Sequence, residues 1–188
     1  MAEPTDGESS PTIVSLESLT LSAQQNAEID AIFFAASATQ SFPSAAAREA
    51  FRERWLGRYM THFRQDGLIA LDNSAGVLGY LVGARADPAT DGRFADIGYF
   101  AELADVTPLY PAHLHINLAE AARSGGIGTR LVEIFCSRLR ADGVPGVHVV
   151  TGAHSRNRTF YGRLGFERVR SLDWKGAPIV MLGKRLSD

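Results

Sequence analysis

Two stretches of this 188-residue chain hold residues whose types and spacing suit chemistry. The first is Arg123-Ser124-Gly125-Gly126-Ile127-Gly128-Thr129, which opens a run where Leu131, Ile134, Phe135 and Leu139 trace one helical stripe. A helix N-terminus leaves backbone N–H groups unpaired and carries partial positive charge, and glycines let a phosphate come close with no Cβ in the way. The stretch is therefore a candidate anion seat, or else a plain glycine turn. The second is Ala112-His113-Leu114-His115-Ile116-Asn117-Leu118, where polar and apolar residues alternate with the period of a strand. His113, His115 and Asn117 then share one face, with Leu114, Ile116 and Leu118 on the other. An imidazole there could take a proton from an attacking nucleophile. Each could equally be a hydrogen-bonded core residue in a sheet covered on both sides.

Other phosphate loops are ruled out by the residues present. There is no G-x-x-x-x-G-K-[ST], and Gly126 to Leu131 lacks the third glycine of the dinucleotide fingerprint. What remains is R-x-x-G-x-G at Arg123, Gly126 and Gly128, followed 33 residues after Gly128 by Tyr161, within Phe160-Tyr161-Gly162-Arg163-Leu164-Gly165-Phe166. Together these elements resemble the GNAT superfamily of acetyl-CoA-dependent N-acetyltransferases, from about Val77 to the C-terminus. The resemblance implies that Arg123, Ser124, Gly125, Gly126, Ile127, Gly128 and Thr129 hold the coenzyme A pyrophosphate. It implies a backbone N–H near Asn117 and Leu118 for the thioester carbonyl, at a point where the strand bulges and splays from its neighbour. Ile116 and Asn157 flank the same coenzyme path, and Tyr161 lies near the thioester sulfur. His154 and Asn157 stand where members often carry Asn and Ala.

Acyl transfer to an amine needs a neutral nucleophile, a polarised carbonyl and a leaving thiolate. An alkylamine of pKa about 10.4 is protonated at pH 7, and the gap of about 3.4 units is worth about 4.6 kcal/mol. His113 and His115 are the candidate bases. A phenol of pKa about 10 giving its proton to a thiolate of pKa about 8.5 moves uphill by about 2 kcal/mol, so Tyr161 suits a hydrogen-bond donor more than a full acid. The implied cosubstrate is acetyl-CoA and the implied acceptor a small-molecule or peptide amine, small or cationic. Cationic acceptors are suggested by Asp87, Asp91, Asp96, Glu102 and Asp105, which outnumber Arg85 and Arg93 between Ala84 and Pro111. The alternative function is an acyl-CoA-binding domain without turnover. It draws on Tyr110 to Ile116, which is similar to the strand of members close to the acetyltransferase-like domain of O-GlcNAc-removing enzymes. No metal site is expected, and Cys136 reads as a small buried hydrophobe.

The elements that must position these residues follow from periodicity. A short strand is expected from Thr12, a helix with Ile29, Ile32, Phe33 and Ala36 on one face, and a second helix from Ser44. That second helix carries an aromatic stripe, Phe51, Trp55, Tyr59 and Phe63, read as core packing. Leu68–Leu71 and Val77–Gly83 form a hairpin across Asp72–Gly76. Strand, glycine turn, helix, strand at Val147–Val150, a helix over Ser155–Leu164 and two final strands complete an α/β (α+β) fold. The expected architecture is a GNAT-like mixed, mostly antiparallel sheet with a splayed parallel strand pair and helices on both faces. Residues 1–11 are expected to be a disordered tail and 12–188 a single acetyltransferase domain.

With 19 Lys and Arg against 21 Asp and Glu, the chain lacks the basic surface that a grip on nucleic acid requires. Its most apolar run, Ala31–Ala36, is too short to span a membrane, and the acidic N-terminus is unlike a signal peptide. A cytoplasmic location is expected. Neither the acceptor nor the oligomeric state, a homodimer included, is fixed by the sequence.

Overall fold

The computed structural model describes residues 11–187, so the expected tail over residues 1–10 lies outside them. Seven strands form one sheet in the order β1-β2-β3-β4-β5-β7-β6. They are β1 (Thr12–Ser15), β2 (Leu68–Leu71), β3 (Val77–Ala84), β4 (Ala112–Leu118), β5 (Gly146–Gly152), β6 (Glu167–Trp174) and β7 (Ala177–Arg185). Every neighbouring pair is antiparallel except β4 and β5. Among the described residues, no helix is long and apolar enough to cross a membrane.

Helix α1 (Ala23–Ala36) begins ahead of its first expected apolar residue, Ile29, because Ser22 and Gln25 form a capping box that satisfies two free N–H groups. Ser44 caps the next helix through Ala47 N–H, as expected. That helix is α2 (Ala45–Arg52), a π-helical stretch Glu53–Gly57 and α3 (Arg58–His62) in succession. In a regular α-helix every fourth residue drifts about 40° round the axis. The wider turn takes up an extra residue and keeps Phe51, Trp55, Tyr59 and Phe63 facing the sheet.

Together with the Ala84–Pro111 connection, these helices cover one face over a core that includes Ile29, Phe33, Leu56, Tyr59, Tyr80, Phe94 and Leu103. The connection holds only short 3₁₀ turns, at Gly92–Phe94, Gly98–Leu103 and Thr107–Leu109. The other face is covered by α4 (Ile127–Ala141) and α5 (Asn157–Arg163) over Leu81, Leu114, Leu131, Phe135, Val149 and Tyr161. Cys136 sits in this second core, where burial pushes its thiol pKa up.

The parallel pair is where the sheet opens. Strands β4 and β5 are in register only at Ala112 with Val147 and His113 with His148. Past these residues β4 keeps pairing with β3 while β5 keeps pairing with β7, so the two halves of the sheet diverge. The expected splay is present. The expected bulge in β4 is not, for the strand keeps one unbroken register with β3 from His113 to Leu118.

Candidate active site

The glycine turn enters α4 through Ser124 and Gly126, which take left-handed φ values of 70° and 76°. Gly126 is the N-cap and supplies no side chain, so the first N–H groups of α4 have no side-chain acceptor. Gly128 serves a different need. A Cβ there would stand 3.3 Å from both Leu118 Cδ1 and Phe160 Cζ, so this glycine lets α4, β4 and α5 approach one another. The buried Ile127 side chain anchors the helix in the core.

A cavity of about 510 Å³ lies against this helix end, lined by Arg123, Ser124, Gly126, Gly128 and Thr129. Ile116, Asn117 and Leu118 of β4 and Asn157, Phe160 and Tyr161 of α5 line the same space. Of the expected coenzyme-contacting residues, Gly125 and Ile127 are the two that do not line this space. Asn157 accepts a hydrogen bond from the Thr151 hydroxyl at 3.0 Å, so its amide is tied to the last turn of β5. A second, narrower cavity of about 130 Å³ fills the mouth of the splay, between Leu114 to Asn117 on one side and Val149, Val150, Thr151 and Tyr161 on the other. Tyr161 is 5% exposed and lines both spaces. Burial raises its pKa well above the usual phenol value, which keeps it a protonated donor.

The two histidines share a face of β4 but not an environment. His113 is buried, with Phe94 and Phe100 against its ring, and His148 beside it donates from Nδ1 to the Tyr110 carbonyl at 2.6 Å. Burial and the neighbouring imidazoles hold His113 well below the usual histidine range. It is the hydrogen-bonded core residue that the sequence left open. His115 is half-buried and reaches the mouth of the splay and a third cavity of about 290 Å³ on the α1 and α2 side. Burial first, then His148 and Arg58, lower its pKa to about 4, so it is neutral at pH 7. Asn117 touches all three cavities, and its Nδ2 donates to the buried Tyr80 hydroxyl at 2.9 Å.

Sequence reasoning missed Tyr59, Phe51 and Trp55 as site residues. The Tyr59 hydroxyl lies between Nε2 of His113, at 3.0 Å, and Nε2 of His115, at 3.2 Å. Trp55 stacks edge to face on His115, with ring centroids 5.6 Å apart. The acidic connection stays away from all three cavities. Asp91 pairs with Arg93, Asp96 with Arg54 and Arg58, and Asp105 with Arg170.

No family model matches the chain. Solved structures do. SsHAT is 20% identical with a TM-score of 0.71, covering 95% of this chain and 100% of its own. A polyamine N-acetyltransferase of Drosophila melanogaster is 15% identical with a TM-score of 0.66, over 93% of this chain and 99% of that one. A GNAT superfamily phosphinothricin acetyltransferase from Sinorhizobium meliloti, solved in complex with AcCoA, is 19% identical with a TM-score of 0.59, over 94% and 88%. The seven-stranded sheet, its single parallel pair and these likenesses give one result: the chain has the fold of the GNAT acetyltransferases.

Proposed function

We propose that the protein is an N-acetyltransferase that moves an acetyl group directly from acetyl-CoA to an amine. The observation that carries this reading is that two features border cavities with a shared wall, Ile116, Asn117, Asn157 and Tyr161. The uncapped start of α4 supplies an anion seat, and the parting of β4 from β5 supplies a slot that leads from that seat to Tyr161, Asn117 and His115. The neighbour from Sinorhizobium meliloti was solved with AcCoA, which supports the same cosubstrate here.

In this reading the backbone of Arg123 to Thr129 binds the pyrophosphate and the β4 edge near Asn117 and Leu118 aligns the thioester. The amine nitrogen attacks the carbonyl carbon, its bond to carbon forms, the carbon–sulfur bond breaks, and the surplus proton leaves the nitrogen. A neutral His115 with a lowered pKa is a poor base toward a free ammonium. Nitrogen bonded to the carbonyl carbon is far more acidic, so His115 takes the proton after attack, and the site selects the neutral amine from solution. The Tyr161 hydroxyl donates a hydrogen bond to the departing thiolate.

The test uses the full chain. Acetyl-CoA is expected to raise its melting temperature, and a panel of amines is expected to release free thiol. Absence of stabilisation overturns the coenzyme site. Stabilisation without thiol release from any amine selects the acyl-CoA-binding reading.

A further inference from the structure

We infer that the acceptor is a primary amine borne on an aromatic or bulky apolar group, with Arg48 placed to receive an anionic substituent at its far end. The inference rests on the acetyltransferase reading and adds the class of acceptor. The cavity of about 290 Å³ that opens from His115 and Asn117 is walled by Phe33, Phe51 and Trp55. Its remaining lining is small, from Ala36 to Thr39, and includes no carboxylate. No Asp or Glu lines either coenzyme-side cavity. A second ammonium on the acceptor would find nothing to pair with, whereas a ring or branched chain would exchange water for aromatic surface.

The aromatic wall does not end there. Phe33 and Phe51 are 5.6 Å apart between ring centroids, Phe51 and Phe42 5.2 Å, and Phe42 and Phe34 6.0 Å. An adjoining open cavity of about 530 Å³ shares Thr39 with the first and is lined by Phe34, Phe42, Ser44 and Arg48. The Arg48 guanidinium carbon sits 3.5 Å from the centre of the Phe34 ring. Aromatic faces attract cations, but this one already carries the protein's own, which repels another. Among the described residues Arg48 makes no ion pair, so its charge faces the cavity unanswered. His115 thus opens on an apolar cavity, and the next cavity, which meets it at Thr39, is bordered by the positive charge of Arg48.

The experiment measures thiol release at saturating acetyl-CoA for ethylamine, putrescine, phenethylamine, 4-(2-aminoethyl)benzoate and a dipeptide with N-terminal Phe. Phenethylamine is expected to exceed ethylamine in kcat/KM by about tenfold or more, the range one apolar group adds in a fitted pocket. Putrescine should not exceed ethylamine. The benzoate should gain over phenethylamine, and Arg48→Ala should remove that gain. Trp55→Ala should erase most of the phenethylamine advantage. The dipeptide arm separates a peptide acceptor from a free arylalkylamine. Preference for putrescine, or an unchanged ratio in Trp55→Ala, overturns the inference while leaving the transferase reading intact. If no amine releases thiol, the transferase reading fails instead, and the acceptor class is still decided by calorimetry. Phenethylamine must then bind the CoA-loaded protein more tightly than putrescine does, and the reverse order overturns it.

Discussion

The Tyr59 hydroxyl lies 3.2 Å from Nε2 of His115, and a hydroxyl has only one proton to give. Its other partner is Nε2 of His113 at 3.0 Å, so at most one of the two imidazoles can accept from Tyr59, and the other can bond to it only as a donor. If His115 donates from Nε2, its Nδ1 keeps a free lone pair, and only this arrangement makes it a base. Tyr59→Phe keeps the ring packed on Phe63 and Phe94 but removes the hydroxyl that selects this tautomer. The expected loss is about tenfold in kcat, below the 10²–10⁴-fold of a whole general base, with little change in KM for acetyl-CoA. Nitrogen NMR of His115 should show one tautomer in the wild type and a mixture in the variant. An unchanged tautomer would make Tyr59 a packing residue only.

The lowered pKa of His115 sets the shape of the pH profile. A group with a pKa of about 4 is protonated only below that value, so it remains a free base throughout the neutral range. With acetyl-CoA saturating, kcat/KM for the amine is expected to rise tenfold per pH unit until the pKa of the amine itself. No inflection should appear between about pH 6 and 7, where an ordinary histidine titrates. A break there would place a less buried imidazole in the mechanism.

Tyr161→Phe tests the leaving group. The residue is 5% exposed and packs its ring against Phe160 and Phe166, contacts that phenylalanine retains. Loss of one hydrogen bond to a thiolate should lower turnover by about 10²–10³-fold, the scale of one lost oxyanion donor, while acetyl-CoA stabilises the variant as it does the wild type. Unchanged turnover, with chemistry limiting the rate, removes Tyr161 from the reaction.

Gly126 separates charge from shape at the anion seat. A Cβ built there meets no heavy atom within 4 Å, so the space is open and only the φ of 76° resists a side chain. Gly126→Ala should therefore cost stability of about 1 kcal/mol and keep much of the acetyl-CoA response. Gly126→Asp adds a negative charge at the helix start and should abolish that response in a folded protein. Equal thermal shifts for the wild type and Gly126→Asp would assign the pyrophosphate elsewhere.

The parts of the site that local patterning encodes were legible in the sequence. Alternation put His113, His115 and Asn117 on one face of β4, and the apolar stripe after Gly126 fixed α4 and its N-terminus. What depends on distant partners was not. A stripe at four-residue spacing says that Phe51, Trp55, Tyr59 and Phe63 face one way, but not whether something covers them. Tyr59 and Phe63 are buried, whereas Phe51 and Trp55 are half-exposed and wall a cavity. Likewise the acidity of the Ala84–Pro111 connection suggested a cation-gathering rim. Two of its carboxylates instead meet distant arginines, Asp96 with Arg54 and Arg58 on the second helix and Asp105 with Arg170 on β6, pairs that composition cannot make.

The short seam between β4 and β5 also changes where the sheet keeps an unpaired edge. An unpaired strand edge is a template for aggregation, and most proteins shield theirs at the rim of the sheet with charge or covering loops. Here an unpaired edge lies in the middle of the sheet, where β4 leaves β5 after His113 and Tyr161 of α5 lines the gap. The opening holds about 130 Å³ and is walled by Leu114 to Asn117 on one side and by Val149 to Thr151 and Tyr161 on the other. The fold therefore keeps these unpaired backbone groups inside a walled gap rather than on an outer rim open to another strand.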